Sequence, residues 1–269
     1  MLKVAVIMAV YKNDNLTDLK EALESLYTQT RKADIHIQQD GELSLALESF
    51  LDKEFEEKKI SYLGKRIENK GLAYSLNELL TLVLPHYEYI VRMDADDISV
   101  KDRIEKQVNF LEKNRGVDVV GGWIKEFNID SNATQVVIYG EKMSDIKRNL
   151  VKRNPMAHVT VCFRNSFFDT ISAYDTSKLN EDFDLWIRAL KKGLKLHNLQ
   201  EVLVKVRTSN AFFNRRRNMH RAWEVMLLKF DTSRHFSFGI KGYVYAVAHF
   251  ILFLSPSWLK QIIYKKLRG

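Results

Sequence analysis

A chain of 269 residues that is 46% hydrophobic and has only 3 prolines can bury a large core. That excludes a disordered polymer and fits one large domain, or one domain with a tail. The single cysteine, Cys162, excludes an intramolecular disulfide framework and a cysteine-based zinc site, and the net charge of +8 favours anionic partners such as phospholipid, nucleic acid or a phosphorylated substrate.

The segment KVAVIMAVY is a short, nearly continuous apolar run that reads as a buried parallel strand. No small-residue cleavage site follows it, so no cleaved leader is expected. In NDNLTDLKEALESLYTQT, Leu16, Leu19, Leu23 and Leu26 recur at helical spacing. ADIHIQQDG is a second strand ending in a turn, KISYLG a third, GLAYSLNELLTLVL a second helix and YEYIVRM a fourth strand. The stretch 40–57 between the second and third strands stands out only as acid-rich. SVKDRIEKQVNFLEKN predicts a third helix with Ser99 as its N-cap. This alternation implies an α/β fold: a Rossmann-like, mainly parallel sheet flanked by helices.

Further on, VDVVGGWIKEF, QVVIYG, HVTVCFR and EVLVKVRT predict strands. SDIKRNLVKR and EDFDLWIRALKKG predict helices, the latter closed by Gly193, and another helix carries NMHRAWEVMLLKF. Trp123 and Trp186 read as core, and Cys162 as an inert thiol inside an apolar strand.

Three acidic segments carry the chemistry. Asp94, Ala95 and Asp96 follow the fourth strand, at the carboxyl edge where open α/β sheets bind ligands. Asp-x-Asp places two carboxylates within reach of one hard cation, Mg²⁺ or Mn²⁺. The competing reading makes Asp97-Ile98-Ser99 a helix-capping turn and Asp94 a loop acid. Asp40, at the end of the second strand, is placed to accept hydrogen bonds from a base or ribose, or it belongs to a plain Asp-Gly turn. Glu181 and Asp182 open a helix, where the dipole keeps a carboxylate ionised and able to take a proton, or where acids simply cap.

Taken together, VAVIMAVYKND, QDG, NKGLAYSLNELL, MDADD, NPMAHVTVCFR and EDFDLWIRALKKG resemble the family 2 glycosyltransferases of GT-A fold, over about residues 2–210. Within that family the chain is most similar to bacterial transferases that build capsule, exopolysaccharide or O-chains. The resemblance implies a catalytic domain over 1–210, with a nucleotide-binding half at about 1–115 and an acceptor half at about 116–210. It also implies a nucleotide-sugar donor, usually a uridine diphosphate sugar. Ala9, Val10, Tyr11 and Asn13 match the first nucleotide-binding loop, Asp40 the base contact, and Asn69, Lys70 and Gly71 a segment near the nucleotide. Asp94 and Asp96 match the acids at ribose, metal and diphosphate, and Asp182 the catalytic base with Glu181 beside it. The implied outcome is inversion at the anomeric carbon. Ala9 stands where proline is frequent, and the Gln-x-x-Arg-Trp signature of processive members is absent, NMHRAW being a near miss. One sugar per encounter is therefore expected.

His158 is a candidate for the acceptor or diphosphate side, and Arg215, with Arg216 and Arg217, a candidate diphosphate clamp. Residues 211–269 form a basic, helical tail in which GYVYAVAHFILFLSPSWL has no charge except a possible protonated His249. Lys260, Lys265, Lys266 and Arg268 follow it, a pattern that suits a helix in the interface of an anionic leaflet, with packing on the catalytic domain as the alternative. The membrane reading implies peripheral contact at the cytoplasmic face and a saccharide or lipid-linked saccharide acceptor. Two rivals remain: a haloacid-dehalogenase-like phosphatase, and a basic nucleic-acid-binding module. The first normally has Thr or Val where Ile98 stands, and the second leaves the acidic clusters unexplained, so no nucleic acid partner is expected.

Overall fold

The computed structural model describes residues 2–131, 133–209 and 219–255. β1 (Val4–Tyr11), α1 (Leu16–Tyr27), β2 (Asp34–Asp40), α2 (Leu45–Glu56), β3 (Tyr62–Gly64), α3 (Leu72–Val83) and β4 (Tyr89–Arg92) form the first half of a mixed sheet. There follow β5 (Ile98–Ser99), α4 (Arg103–Lys113), β6 (Val119–Asn128), β7 (Thr134–Val137) and α5 (Met143–Asn149). β8 (Cys162–Arg164), α6 (Phe167–Ile171), α7 (Glu181–Lys191) and β9 (Leu196–Thr208) complete the sheet, and α8 (Met219–His235) and α9 (Gly239–Leu254) form a helical hairpin. The strand order is β3-β2-β1-β4-β8-β6-β9-β5, with β7 on β6. β1 to β4 run parallel, whereas β8 is antiparallel to both its neighbours.

β1 is apolar throughout because both its faces are covered. Val4, Val6, Met8 and Val10 pack with Leu19 and Leu23 of α1 and Val108 and Leu111 of α4. Ala5 and Ile7 face the other way, onto Leu76 and Leu80 of α3 and Trp186 of α7. Each fully buried aliphatic side chain contributes about 1.5–3 kcal/mol. These two cores fix the sheet and hence the edge where β1, β2 and β4 end.

Several features differ from the sequence reading. HVTVCFR, read as one strand, opens with a 3-10 helix at His158–Thr160, and only Cys162–Arg164 is strand. The acid-rich stretch contains α2, capped by Ser44, whose hydroxyl accepts Leu47 N–H at 3.4 Å; Leu47 and Leu51 are its buried pair. Ser99 is not a helix cap. It pairs with Val204 of β9, its N–H donates to Ser25 Oγ at 3.0 Å, and α4 starts after Asp102. Trp123 is only half-buried and donates its indole N–H to Tyr139 O at 3.2 Å, whereas Trp186 is fully buried. Cys162 is a buried free thiol that burial pushes up to about 12, as an inert cysteine should be. Gly193, at φ +81°, closes α7.

The tail hairpin closes through rings, Trp223 on Phe250 at 5.8 Å and Phe230 on Tyr243 at 5.4 Å. His249 is not a cation there: burial first, then the charge of Lys229, push it down to about 3. No described helix is long and apolar enough to cross a membrane. Arg215 to Arg217, Lys260, Lys265, Lys266 and Arg268 lie outside the described residues.

Candidate functional site

Parallel strands β1, β2 and β4 end on one edge, and the register sets Tyr11 beside Asp40. After β1 the chain turns tightly. Tyr11 N–H donates to Asp14 Oδ2 at 2.9 Å, and Asp14 N–H returns to Tyr11 O at 3.0 Å. Val10 is buried, Ala9 and Tyr11 are half-buried and Asn13 is exposed. The Asp14 carboxyl is pushed up to about 7, by burial first; Asp96 and Asp94 add to this and the Tyr11 N–H opposes it. The sequence reading did not single out Asp14, which gains meaning only from its nearness to the acids after β4.

Asp40 is buried and organises the next loop. Its carboxylate accepts Lys70 N–H at 2.8 Å and Gly71 N–H at 2.9 Å and pairs with Arg66. Its carbonyl accepts Asn69 Nδ2 at 2.9 Å. Asp40 thus sits at the N-terminus of α3, where the helix dipole favours an anion. Arg66 also holds Ser75 Oγ at 2.9 Å and stacks over Tyr74. A base N–H that reached Asp40 would have to share the carboxylate with Arg66.

Carboxylate oxygens of Asp94, Asp96 and Asp97 lie within 4.8 Å of one another. Buried Arg92 grips Asp94 with both guanidinium nitrogens, one at 2.6 Å. Asp97 is buried and accepts Arg207 N–H at 2.9 Å, while Arg207 Nε donates to Asp96 O at 3.1 Å. Asp96 is the most open of the three. Burial and then Asp94 push Asp96 up to about 6, and burial and the same neighbour raise Asp97 well above the usual range. An all-oxygen donor set with mutual repulsion fits a hard divalent cation, Mg²⁺ or Mn²⁺. Asp97 is the member that only the competing sequence reading gave a role, in a helix-capping turn.

The second acidic group opens α7. Asp182 Oδ2 accepts Asn154 Nδ2 at 2.5 Å, and Oδ1 accepts Phe183 N–H at 2.7 Å. Burial, then Asp182, push Glu181 up to about 7; Arg221 and Arg92 oppose the shift. Arg92 thus pairs with Asp94 and is the least of the influences on Glu181. His158 is buried, its Nε2 2.8 Å from Tyr174 Oη and its ring edge-on to Trp186. Burial and then Arg92 hold it well below the usual histidine range, so it is neutral. It packs between Tyr174 and Trp186.

Comparison with known proteins agrees with this geometry. The family model "Glycosyl transferase family 2" matches residues 5–172, and "Glycosyl transferase family group 2" matches 89–266. A glycosyltransferase of Haemophilus influenzae is 36% identical, covering 99% of this chain and 97% of its own. The Escherichia coli UDP-Gal:alpha-D-GlcNAc-diphosphoundecaprenol beta-1,3-galactosyltransferase is 28% identical, covering 98% and 96% respectively. Among solved structures, the mannosyltransferase PcManGT of Pyrobaculum calidifontis, in complex with GDP-Man and Mn²⁺, superposes with a TM-score of 0.66. It covers 99% of this chain and 76% of that one at 16% identity, which speaks for the fold alone.

Proposed function

The chain belongs to glycosyl transferase family 2, and from that membership we propose that it moves one sugar from a uridine diphosphate sugar to a lipid-linked saccharide in the synthesis of a bacterial surface polysaccharide. The uridine donor and the lipid-linked acceptor are carried over from the named activity of the E. coli relative. The observation that supports the reading is the cluster of Asp94, Asp96 and Asp97 directly after β4, whose carboxylate oxygens lie within 4.8 Å of one another. In this reading the donor diphosphate sits at that cluster and the acceptor hydroxyl at Asp182, which opens α7.

In this reading Tyr11, with the backbone of Ala9 and Val10 and with Asn13, lines the nucleoside side, and Asp40 holds Asn69, Lys70 and Gly71 against it. Asp96, Asp94 and Asp97 would hold Mg²⁺ or Mn²⁺, which when bound would neutralise charge on the diphosphate leaving group. Arg92 keeps the Asp94 carboxylate aimed. Asp182 accepts the proton of the attacking acceptor hydroxyl, a general-base contribution of about 10²–10⁴-fold. Asn154 orients the Asp182 oxygen that takes the proton. Attack from the face opposite the leaving group inverts the anomeric centre, so an α-linked donor gives a β-glycoside, the linkage named for the relative.

The enzyme works at the inner face of the cell membrane. Ile240, Val244, Val247 and Ile251 of α9 are all exposed and follow helical spacing, an apolar stripe suited to the lipid interface.

The test is to incubate the protein with Mn²⁺ and a panel of nucleotide sugars, and to measure binding and slow donor hydrolysis. Asp96→Ala should lose metal-dependent diphosphate binding. Asp182→Asn should keep donor binding and lose transfer; transfer surviving in Asp182→Asn would remove it as the base.

A further inference from the structure

We propose that Glu224 and Lys229 of α8 are positioning residues for Asp182, holding from one helix both sides of its hydrogen bond to Asn154. This rests on the reading of Asp182 as the acceptor-side base.

The first side is the entry to α7. Its N-cap residue, Asn180, makes no side-chain cap. Glu224 holds this entry from outside the helix. One carboxylate oxygen accepts Leu179 N–H at 3.1 Å, and the other accepts Asn180 N–H and Asn180 Nδ2, both at 3.0 Å. Arg221, one turn earlier on α8, donates Nε to Leu179 O at 3.0 Å. The chain immediately before Glu181 and Asp182 is thus held at both its donors and its acceptors.

The second side is the segment after α5. Lys229 Nζ donates to Val151 O at 2.9 Å and to Lys152 O at 3.1 Å. Asn154, which donates to Asp182, follows two residues later. Lys229 is buried, and among the described residues no carboxylate forms an ion pair with it. Burial pushes the Lys229 amine down to about 7, and holding it against two carbonyls costs more than burying an apolar chain of the same length. Fold stability alone gives little reason for a lysine here, whereas fixing the carbonyls ahead of Asn154 does. Asn154 and Asp182 lie 28 residues apart in sequence, and α8 ties their two segments into one frame.

A misplacement of about 1 Å at a reacting group costs up to roughly 10²-fold in rate. The experiment uses the full chain, Mn²⁺ and the UDP-sugar of the panel that is hydrolysed fastest, with water standing in for the acceptor. Lys229→Met and Glu224→Ala should each lower kcat about 10- to 100-fold, with KM for the UDP-sugar and affinity for UDP within about twofold of the parent. Glu224→Gln, which keeps a carbonyl acceptor, should recover part of the loss. Lys229→Met fills the same volume and keeps the measurement decisive should Glu224→Ala fold poorly. Unchanged kcat in both variants, or a parallel loss of UDP affinity, would overturn the proposal while leaving the base assignment intact. Transfer that survives Asp182→Asn would overturn the base assignment itself, and this inference with it.

Discussion

Arg92 holds Asp94 through both guanidinium nitrogens, and the arginine is buried while the aspartate side chain is about one-third exposed (34%). A planar two-pronged donor cannot be replaced by the point charge of lysine. Arg92→Lys should lower stability by about 1–3 kcal/mol, below the usual range for a fully buried pair because water reaches Asp94. It should weaken Mn²⁺-dependent UDP binding at least tenfold. Thermal melts and titration calorimetry check the two effects. Binding that survives unchanged would mean that Asp94 needs no arginine to be aimed.

The strand edge and the acids after β4 were legible because they follow from local pattern. β1 and β4 are continuous apolar runs, as burial on both faces demands, and the acids stand directly behind β4. α2 was hidden because Leu47 and Leu51 are its only buried apolar residues in a run of acids. Asp97 was in view, but aspartate serves turns as readily as metals, and only its 4.8 Å cluster with Asp94 and Asp96 separates the two. Asn154, Glu224 and Arg207 were out of reach, since each matters through a partner at least 28 residues away. No local periodicity records such contacts.

Gly71 begins α3 at φ +91° and ψ 168°, a region that side chains rarely occupy, and its N–H donates to Asp40. A Cβ there would meet nothing within 4 Å. Gly71→Ala therefore tests backbone strain without a clash. It should cost about 1–3 kcal/mol and move the Lys70 and Gly71 N–H groups off Asp40. Nucleotide affinity should fall with it while Mn²⁺ binding to the acids after β4 holds. Crystallography and UDP titration check this, and full UDP affinity in a destabilised Gly71→Ala would detach this loop from the nucleotide.

Asp14 and Glu181 are both pushed up to about 7, in each case by burial first, from ordinary values of 3.8 and 4.5. Between those values these two groups bind more protons in the folded chain than in the unfolded one, so their contribution to stability falls as pH rises. The contribution is fully present below about pH 4 and is lost through about pH 7. In the metal-free protein Asp14→Asn should therefore gain melting temperature relative to the parent on going from pH 5 to pH 8, because it removes the Asp14 share of this slope; the histidines that burial keeps neutral slope the other way in both proteins. Mn²⁺ should stabilise more at pH 8, where the acids are ionised. Thermal scans across this range check the sign, and a slope unchanged by Asp14→Asn would show that Asp14 does not titrate there.

α9 spans 16 residues, about 24 Å at ~1.5 Å per residue, against a hydrocarbon core of about 30 Å. In the proposed membrane reading its contact with lipid would lie along the surface. Ile240 is 80% exposed and Val244 and Ile251 are each 61% exposed, on one stripe of the helix, with Lys241 and Arg234 nearby in sequence. Burying two such aliphatics is worth roughly 1.5–3 kcal/mol apiece, which is at least tenfold in partitioning. Val244→Asp with Ile251→Asp should lose at least that much binding to phosphatidylglycerol vesicles. UDP affinity and melting temperature should stay the same, because both side chains already face solvent. The basic residues add an electrostatic share, so parent binding should weaken with salt and be poorer on phosphatidylcholine. Vesicle sedimentation of the full chain measures all three, and equal sedimentation of parent and double variant would move the membrane contact off α9.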